Sequence, residues 1–270
     1  MSAEMTLREH LDELRGRIFR MLLAVIIITI LCMTLTAKPL YSKNGTVIFF
    51  YPYPDIFHNF SIQVTSHISK AILPPEVSLI QTAPGQAFFA QLYVSVLIGL
   101  IGSIPIIVRE SYGFISPAFR KQTKRSATIN VLLPTISLFI SGIAFAYFVT
   151  IPLTIDFLYK YGLSMGVATF LNISDFISFV LQFFLGFGIA FELPLIMYVI
   201  SLTEFIEPKF WRKNFRYAII VLVVIGALIT PDGSGITMWI VAGPMIALYF
   251  MGMLAVERKF RSITQIPAGP

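Results

Sequence analysis

The sequence predicts an all-α integral membrane protein with six transmembrane helices. Two observations carry this: 56% of the 270 residues are hydrophobic against 13% charged, and the apolar residues gather into runs of about 20, the length a helix needs to cross a hydrocarbon core roughly 30 Å thick. A third agrees with them. The 20 Lys and Arg residues lie between the apolar runs instead of along one face, which argues against nucleic acid as a partner and for the lipid bilayer as the solvent.

The six runs are Ile18 to Thr36, Phe88 to Val108, Ile129 to Leu153, Phe176 to Leu202, Tyr217 to Thr230 and Ile236 to Val256. Spans five and six are short. Span five, with about 14 residues, falls below what roughly 30 Å requires at 1.5 Å per residue, so either the Trp211 and Tyr217 region is drawn into the membrane or the bilayer thins there.

Orientation follows from bases in short loops, which stay on the cytoplasmic side. Arg8, Arg15, Arg17 and Arg20 precede span one, and Arg109, Arg120, Lys121, Lys124 and Arg125 follow span two. Lys209, Arg212, Lys213 and Arg216 precede span five, and Arg258, Lys259 and Arg261 follow span six. Only Lys38, Lys43, Lys70 and Lys160 fall in the opposite loops. Both termini are therefore expected in the cytoplasm, on a multi-pass protein of the cell membrane. The reading is one six-span membrane domain over residues 1–256, with an amino-terminal cytoplasmic helix at 5–17, an outer loop at 37–83, inner loops at 109–128 and 203–216, and a cytoplasmic tail at 257–270. The start is not read as a cleaved secretory signal, because Glu4, Glu9, Asp12 and Glu13 are foreign to the short basic region of such signals.

The outer loop holds two β-type runs, Thr46 to Tyr51 and Val77 to Thr82, expected to pair as a short ribbon. Between them Phe57, Phe60, Val64, Ile68 and Ala71 recur at helical steps. This predicts a helix lying along the outer membrane surface. Tyr51-Pro-Tyr-Pro-Asp55 and Pro74-Pro75 are expected to punctuate the loop, since proline neither continues a helix nor donates to a ladder.

Enzyme signatures are absent from the sequence: it has no HExxH, no GxxxxGK and no paired intramembrane aspartates. The single cysteine, Cys32, lies in an apolar run, and no Cys/His set has metal spacing. Gly233-Ser-Gly235 reads as a turn, because His10, His58 and His67 all lie outside the spans and give no partner for a serine nucleophile. The chain is read as a non-enzyme without cofactor or metal.

Three groups of polar residues stand out. His10-Leu-Asp-Glu-Leu-Arg-Gly-Arg17 sets Glu9, Asp12 and Glu13 on one side of a helix just below the membrane. Plain helix electrostatics explains them, with Glu13 and Arg17 as a favourable i, i+4 pair; a receptor site for a guanidinium ligand explains them too. Glu192, in Phe187-Gly-Ile-Ala-Phe-Glu-Leu-Pro194, is an ionisable group at membrane depth, where insertion costs about 2.5 to 3.5 kcal/mol. It suits either a carboxyl satisfied within the bundle or a docking point for another membrane helix, and Pro194 is expected to bend its helix. Asp232, in the turn between the last two spans, reads in isolation as a helix cap.

HLDELRGR before span one, Pro105 to Pro117 with Phe114-Ile-Ser-Pro117 after span two, Ala144-Phe-Ala-Tyr-Phe148 in span three and FGIAFELP in span four together resemble the TatC family of twin-arginine protein translocase receptors. Thr230-Pro-Asp232 and Gly243-Pro-Met-Ile-Ala-Leu-Tyr249 add to the resemblance, which covers about residues 5 to 255. It implies a receptor for the twin-arginine signal peptides of folded cargo. Such a receptor recruits small single-span Tat subunits of the TatA/TatB type and self-associates in a larger complex. It implies further that Glu13 contacts the arginine pair, that Arg15 and Arg17 complete the same motif, that Phe114 and Pro117 belong to the first inner loop, that Glu192 meets polar residues of the single-span partners, and that Asp232 is the outer-turn acid.

The sequence departs from the family pattern in three places. Thr123 stands where a second loop acid is usual; Glu110, Glu9 and Asp12 are the candidates to replace it, and Glu110 is favoured. The outer turn reads Thr-Pro-Asp where Thr-Pro-Pro-Asp is usual, and Phe250 stands where a glutamate is frequent. Two other classes compete with the receptor reading: a proton-coupled secondary transporter using Glu192, and a membrane scaffold with no peptide site.

Overall fold

A computed structural model describes residues 7–41, 47–115, 126–202, 206–230 and 234–264. Pro117, Thr123 and Asp232 lie outside the described residues. The chain forms two compact units, one of residues 1–117 and 169–181, the other of 118–168 and 182–270.

In the first unit, α1 (Leu7–Thr34) runs unbroken from the expected cytoplasmic helix into span one. No proline or turn signal separates the two segments, and a lone glycine, Gly16, costs a helix only about 1 kcal/mol. The strands β1 (Leu35–Tyr41) and β2 (Val47–Pro54) follow as an antiparallel hairpin. Next come α2 (Phe60–Ile72), β3 (Ser78–Ile80) and α3 (Gln86–Ile115). The pairing α1 with α3 is the most extensive between helices among the described residues. Gly99 of α3 lies against Val25 and Thr29 of α1, and Gly102 against Ile28. Without hydrophobic driving force between helices in lipid, such small residues let backbones approach and gain dispersion contacts.

The expected ribbon between the two β-type runs is not formed. The first run, from Val47 on, belongs to β2, which pairs with β1, and β3 instead pairs in parallel with β4 (Phe170–Asn172). For β2 the strand close by in the chain is the cheaper partner, because loop closure costs less over a short connection. Pro52 lies inside β2 without interrupting it, since both strands of a two-stranded ribbon are edges, whereas β2 ends at Pro54. The second pairing is fastened by Asn172, whose Nδ2 donates to Thr82 Oγ1 and Gln86 Oε1, both at 2.8 Å.

The expected outer-loop helix is present as α2, with Asn59 as its N-cap accepting from the Ile62 N–H. Its buried line is Ser61, Ile68 and Ile72, whereas Phe57 precedes the helix and is 80% exposed, and Phe60 is 43% exposed. Polar bonds decide the rotation. Asn59 Nδ2 donates to the Met33 carbonyl at 2.7 Å, and Ser61 Oγ meets the Cys32 carbonyl and the Ser95 hydroxyl.

In the second unit, α4 (Ser126–Phe145) passes through one π-helical turn, Ala146–Thr150, into α5 (Ile151–Ser164), making span three longer than expected. The wider turn stands just before Pro152, which has no N–H to offer the preceding turn. Span four is α6 (Ile173–Phe191), which begins in the first unit, followed by α7 (Leu193–Leu202). The short α8 (Lys209–Lys213), α9 (Phe215–Ile229) and α10 (Gly235–Thr264) complete it.

Among the described residues, five helical stretches are long and apolar enough to cross a membrane: His10–Thr34, Gln86–Phe114, Leu132–Ser164, Ile173–Ser201 and Gly235–Lys259. The expected fifth span is α9, and its 15 residues reach about 22 Å. Trp211 does not lengthen it. That residue belongs to α8, where its Nε1 donates to Ser201 Oγ at 2.9 Å and its carbonyl accepts from the Tyr249 hydroxyl at 3.1 Å.

Candidate functional site

The start of α1 and the end of α3 meet in a cluster of two carboxylates and two guanidiniums. Residues 10, 13, 17 and 20 follow at steps of three and four along α1, so their side chains form one row. Glu110 stands on α3 opposite that row. Arg17 bridges the acids: its Nη2 and Nε donate to Glu13 Oε1 at 2.6 and 3.0 Å, and its Nη1 donates at 3.2 Å to both the Glu110 carbonyl and Glu110 Oε2. Arg20 Nη2 donates to the same Glu110 Oε2 at 2.8 Å.

The quartet is formally neutral, which is what allows it to be partly withdrawn from water. The side chains of Glu13, Arg17 and Glu110 are 23, 19 and 13% exposed, whereas Arg20 is 56% exposed. Removing Arg17 would leave two acids facing one exposed base, an arrangement that burial penalises. Gly113, one turn beyond Glu110, makes room for the bridge, because the Arg17 guanidinium lies where a β-carbon would stand.

The acceptors are not all used. Glu13 Oε2 is buried without a hydrogen-bond partner among the described residues, with His10 Nδ1 at 4.0 Å. The His10 ring in turn stacks on Phe114, with centroids 4.5 Å apart and planes 18° from parallel. A carboxylate oxygen with spare lone pairs beside an aromatic ledge can accept a guanidinium or ammonium donor.

Of the residues expected from sequence, the structure brings together Glu13, Arg17, Glu110 and, through His10, Phe114. Arg15 is exposed on α1 outside the ion pairs found among the described residues, and Asp12 is likewise exposed. Glu9 lies on α1, and Pro117 falls outside the described residues. His10, Arg20 and Gly113 were not anticipated. The row 10, 13, 17, 20 was a readable signal for the first two, and Gly113 had none.

Glu192 occupies the break between α6 and α7, where its N–H bonds to the Ile189 carbonyl at 3.1 Å and its carbonyl accepts from the Ile196 N–H at 2.8 Å. Pro194 helps to cause the break by removing an amide donor from the ladder. The half-buried side chain lies beside the Phe139 backbone of α4, and its Oε1 is buried without a hydrogen-bond partner among the described residues. Close packing of α4 on α6 frames it: a β-carbon on Gly142 would meet the Phe187 carbonyl, and one on Gly188 the Phe139 ring. Among the described residues, no three His, Cys, Asp or Glu side chains lie together as a metal site.

These features define a polytopic helical membrane protein with an arginine-bridged acid pair at one end of its first helix pair and a lone carboxyl inside a second bundle. The family model described as Sec-independent protein translocase protein (TatC) matches residues 9–244. The TatC protein of Cenarchaeum symbiosum is 48% identical over 96% of this chain and 97% of its own length, and that of Aquifex aeolicus 36% identical over 94 and 98%. The crystal structure of a twin arginine translocase receptor, TatC, superposes with a TM-score of 0.75 at 32% identity, covering 92% of this chain and 98% of the other. The chain belongs to the TatC family of protein translocase components, which are not enzymes.

Proposed function

We propose that this protein is the receptor and core subunit of a twin-arginine translocase in the cell membrane. It binds the twin-arginine signal peptides of folded cargo at its cytoplasmic face, recruits single-span subunits of the TatA/TatB type, and self-associates with further copies. The observation that carries the reading is the Glu13 and Glu110 pair, held together from α1 and α3 with a free acceptor on Glu13. Glu110 takes the part of the loop acid that Thr123 cannot supply. Phe114, with His10, gives the peptide a ledge beside the acids, while Arg15, Glu9 and Pro117 are assigned to peptide contact from the sequence alone. In this reading the chain is a single domain of six spans, with α9 as the short fifth, both termini in the cytoplasm and α2 along the outer surface. The charge distribution of the loops supports that orientation.

Glu192 is assigned to docking of single-span partners, and Asp232 to the outer turn. A buried acceptor without a partner is costly, and a polar residue on an incoming helix would satisfy it. Membership of a translocase family sets aside the proton-coupled transporter as the reading of Glu192. The test is site-specific crosslinking from a photoreactive residue at position 13, and separately at 110, to a twin-arginine peptide with a twin-lysine control. Arginine-dependent adducts at both positions are expected; none at position 13 removes the receptor assignment from this cluster.

A further inference from the structure

We propose that Arg20 is a resident competitor for the peptide, an exchangeable guanidinium that occupies Glu110 until an arginine of the ligand replaces it. The inference rests on the peptide-receptor reading of the Glu13 and Glu110 pair, and it assigns different parts to the two arginines of α1. Arg17 makes four hydrogen bonds to both acids and is 19% exposed, so it is the fixed bridge. Arg20 reaches Glu110 Oε2 through Nη2 alone and is 56% exposed, so its tip can swing into water at little cost.

The geometry makes arrival of a cationic ligand an exchange. Glu110 Oε2 already accepts from Arg17 and Arg20, leaving little capacity for another donor on the same oxygen. Glu13 Oε2 is a buried acceptor with no hydrogen-bond partner among the described residues. One ligand guanidinium reaches the buried Glu13 Oε2 by moving the His10 ring, whose Nδ1 stands 4.0 Å from it, while a second one, directed to Glu110 Oε2, must take the place of Arg20. Charge supports the same sequence of events. With Arg20 in place the quartet is neutral and attracts a cation weakly, whereas release of Arg20 leaves Glu13, Arg17 and Glu110 as a net negative trio. The arrangement favours a ligand with two adjacent guanidiniums over one with a single arginine, because only the former both fills Glu13 and replaces the lost partner of Glu110.

The test measures binding of a fluorescent peptide with two adjacent arginines to the full-length protein in lipid nanodiscs, for the native chain, Arg20→Gln and Arg20→Lys. Arg20→Gln is expected to bind about two- to fivefold more tightly, the range an exposed ion pair allows, and to lose part of its preference over a single-arginine peptide. Arg20→Lys should lie between the two. Equal or weaker binding by Arg20→Gln overturns the proposal. A second measurement uses the native protein alone: labelling of Arg20 by a dicarbonyl reagent should rise when the peptide binds, and a fall overturns the proposal. Glu13→Gln and Glu110→Gln separate the two levels. If neither alters peptide binding the receptor reading fails; if both weaken it while Arg20→Gln gives no gain, only the exchange fails.

Discussion

A β-carbon on Gly113 would fall on the guanidinium of Arg17. The obstacle is the far end of a flexible side chain, so an added methyl group moves Arg17 instead of parting the helices. Gly113→Ala is expected to loosen the bridge. Charge-assisted hydrogen bonds worth about 1.5–3 kcal/mol are weakened, and the gain in helix propensity returns up to about 1 kcal/mol. Thermal unfolding in detergent should register a net loss of about 0.5–2 kcal/mol, together with a several-fold fall in arginine-dependent crosslinking from position 13. Unchanged values for both would show that Arg17 does not depend on this glycine.

Glu13 and Glu110 share Arg17, so their effects on stability should not add. After Glu13→Gln, Arg17 still has Glu110, and after Glu110→Gln it still has Glu13; only the double variant leaves it without a carboxylate. Residues in one ion-pair network couple by about 0.5–3 kcal/mol. The double-mutant cycle, read from unfolding midpoints in a single detergent, is expected to give a coupling above about 0.5 kcal/mol. Additivity within error would mean that Arg17 does not join the acids in solution.

The spans were legible because the length of an apolar run maps directly onto membrane thickness, and α1, α3, α4 with α5, α6 with α7, and α10 all lie where such runs occur. The acid pair was half legible. The row from His10 to Arg20 follows helical spacing, but Glu110 is 93 residues from Arg17, and its approach depends on α1 packing against Gly99 and Gly102 of α3. Single-sequence periodicity does not encode which helix a small residue faces. The β pairing was missed for a similar reason: β3 has three residues, and its partner β4 is fixed by Asn172, 90 residues from Thr82.

Gly142 provides a contrast with Gly113. A β-carbon there would meet the Phe187 carbonyl and the Gly188 Cα, which are backbone atoms and cannot swing aside. Gly142→Ala must therefore push α4 away from α6 or strain both. Overpacking of this kind costs about 1–3 kcal/mol, occasionally more, and because the obstacle is backbone the cost lies toward the upper end, so that after the same gain in helix propensity the loss still exceeds that at Gly113. Unfolding measured side by side for the two alanine variants should rank Gly142→Ala as the less stable. The reverse order would mean that α4 and α6 pack less closely than they do here.

Glu192 carries the last prediction. Its Oε1 is buried without a hydrogen-bond partner among the described residues, and its side chain lies beside the Phe139 backbone. An ionised group in such surroundings costs the fold more than a neutral amide of the same shape. Glu192→Gln is therefore expected to unfold at the same temperature as the native chain or somewhat above it, while Glu192→Lys, longer and cationic, should lower the midpoint clearly. Docking should follow a different order. An amide can still exchange hydrogen bonds with a polar residue of an incoming helix, so co-purification of a single-span subunit should survive in part in Glu192→Gln and be lost in Glu192→Leu. A stable Leu variant that retains the subunit in full would place the docking contact elsewhere and leave Glu192 as a carboxyl satisfied within its own bundle.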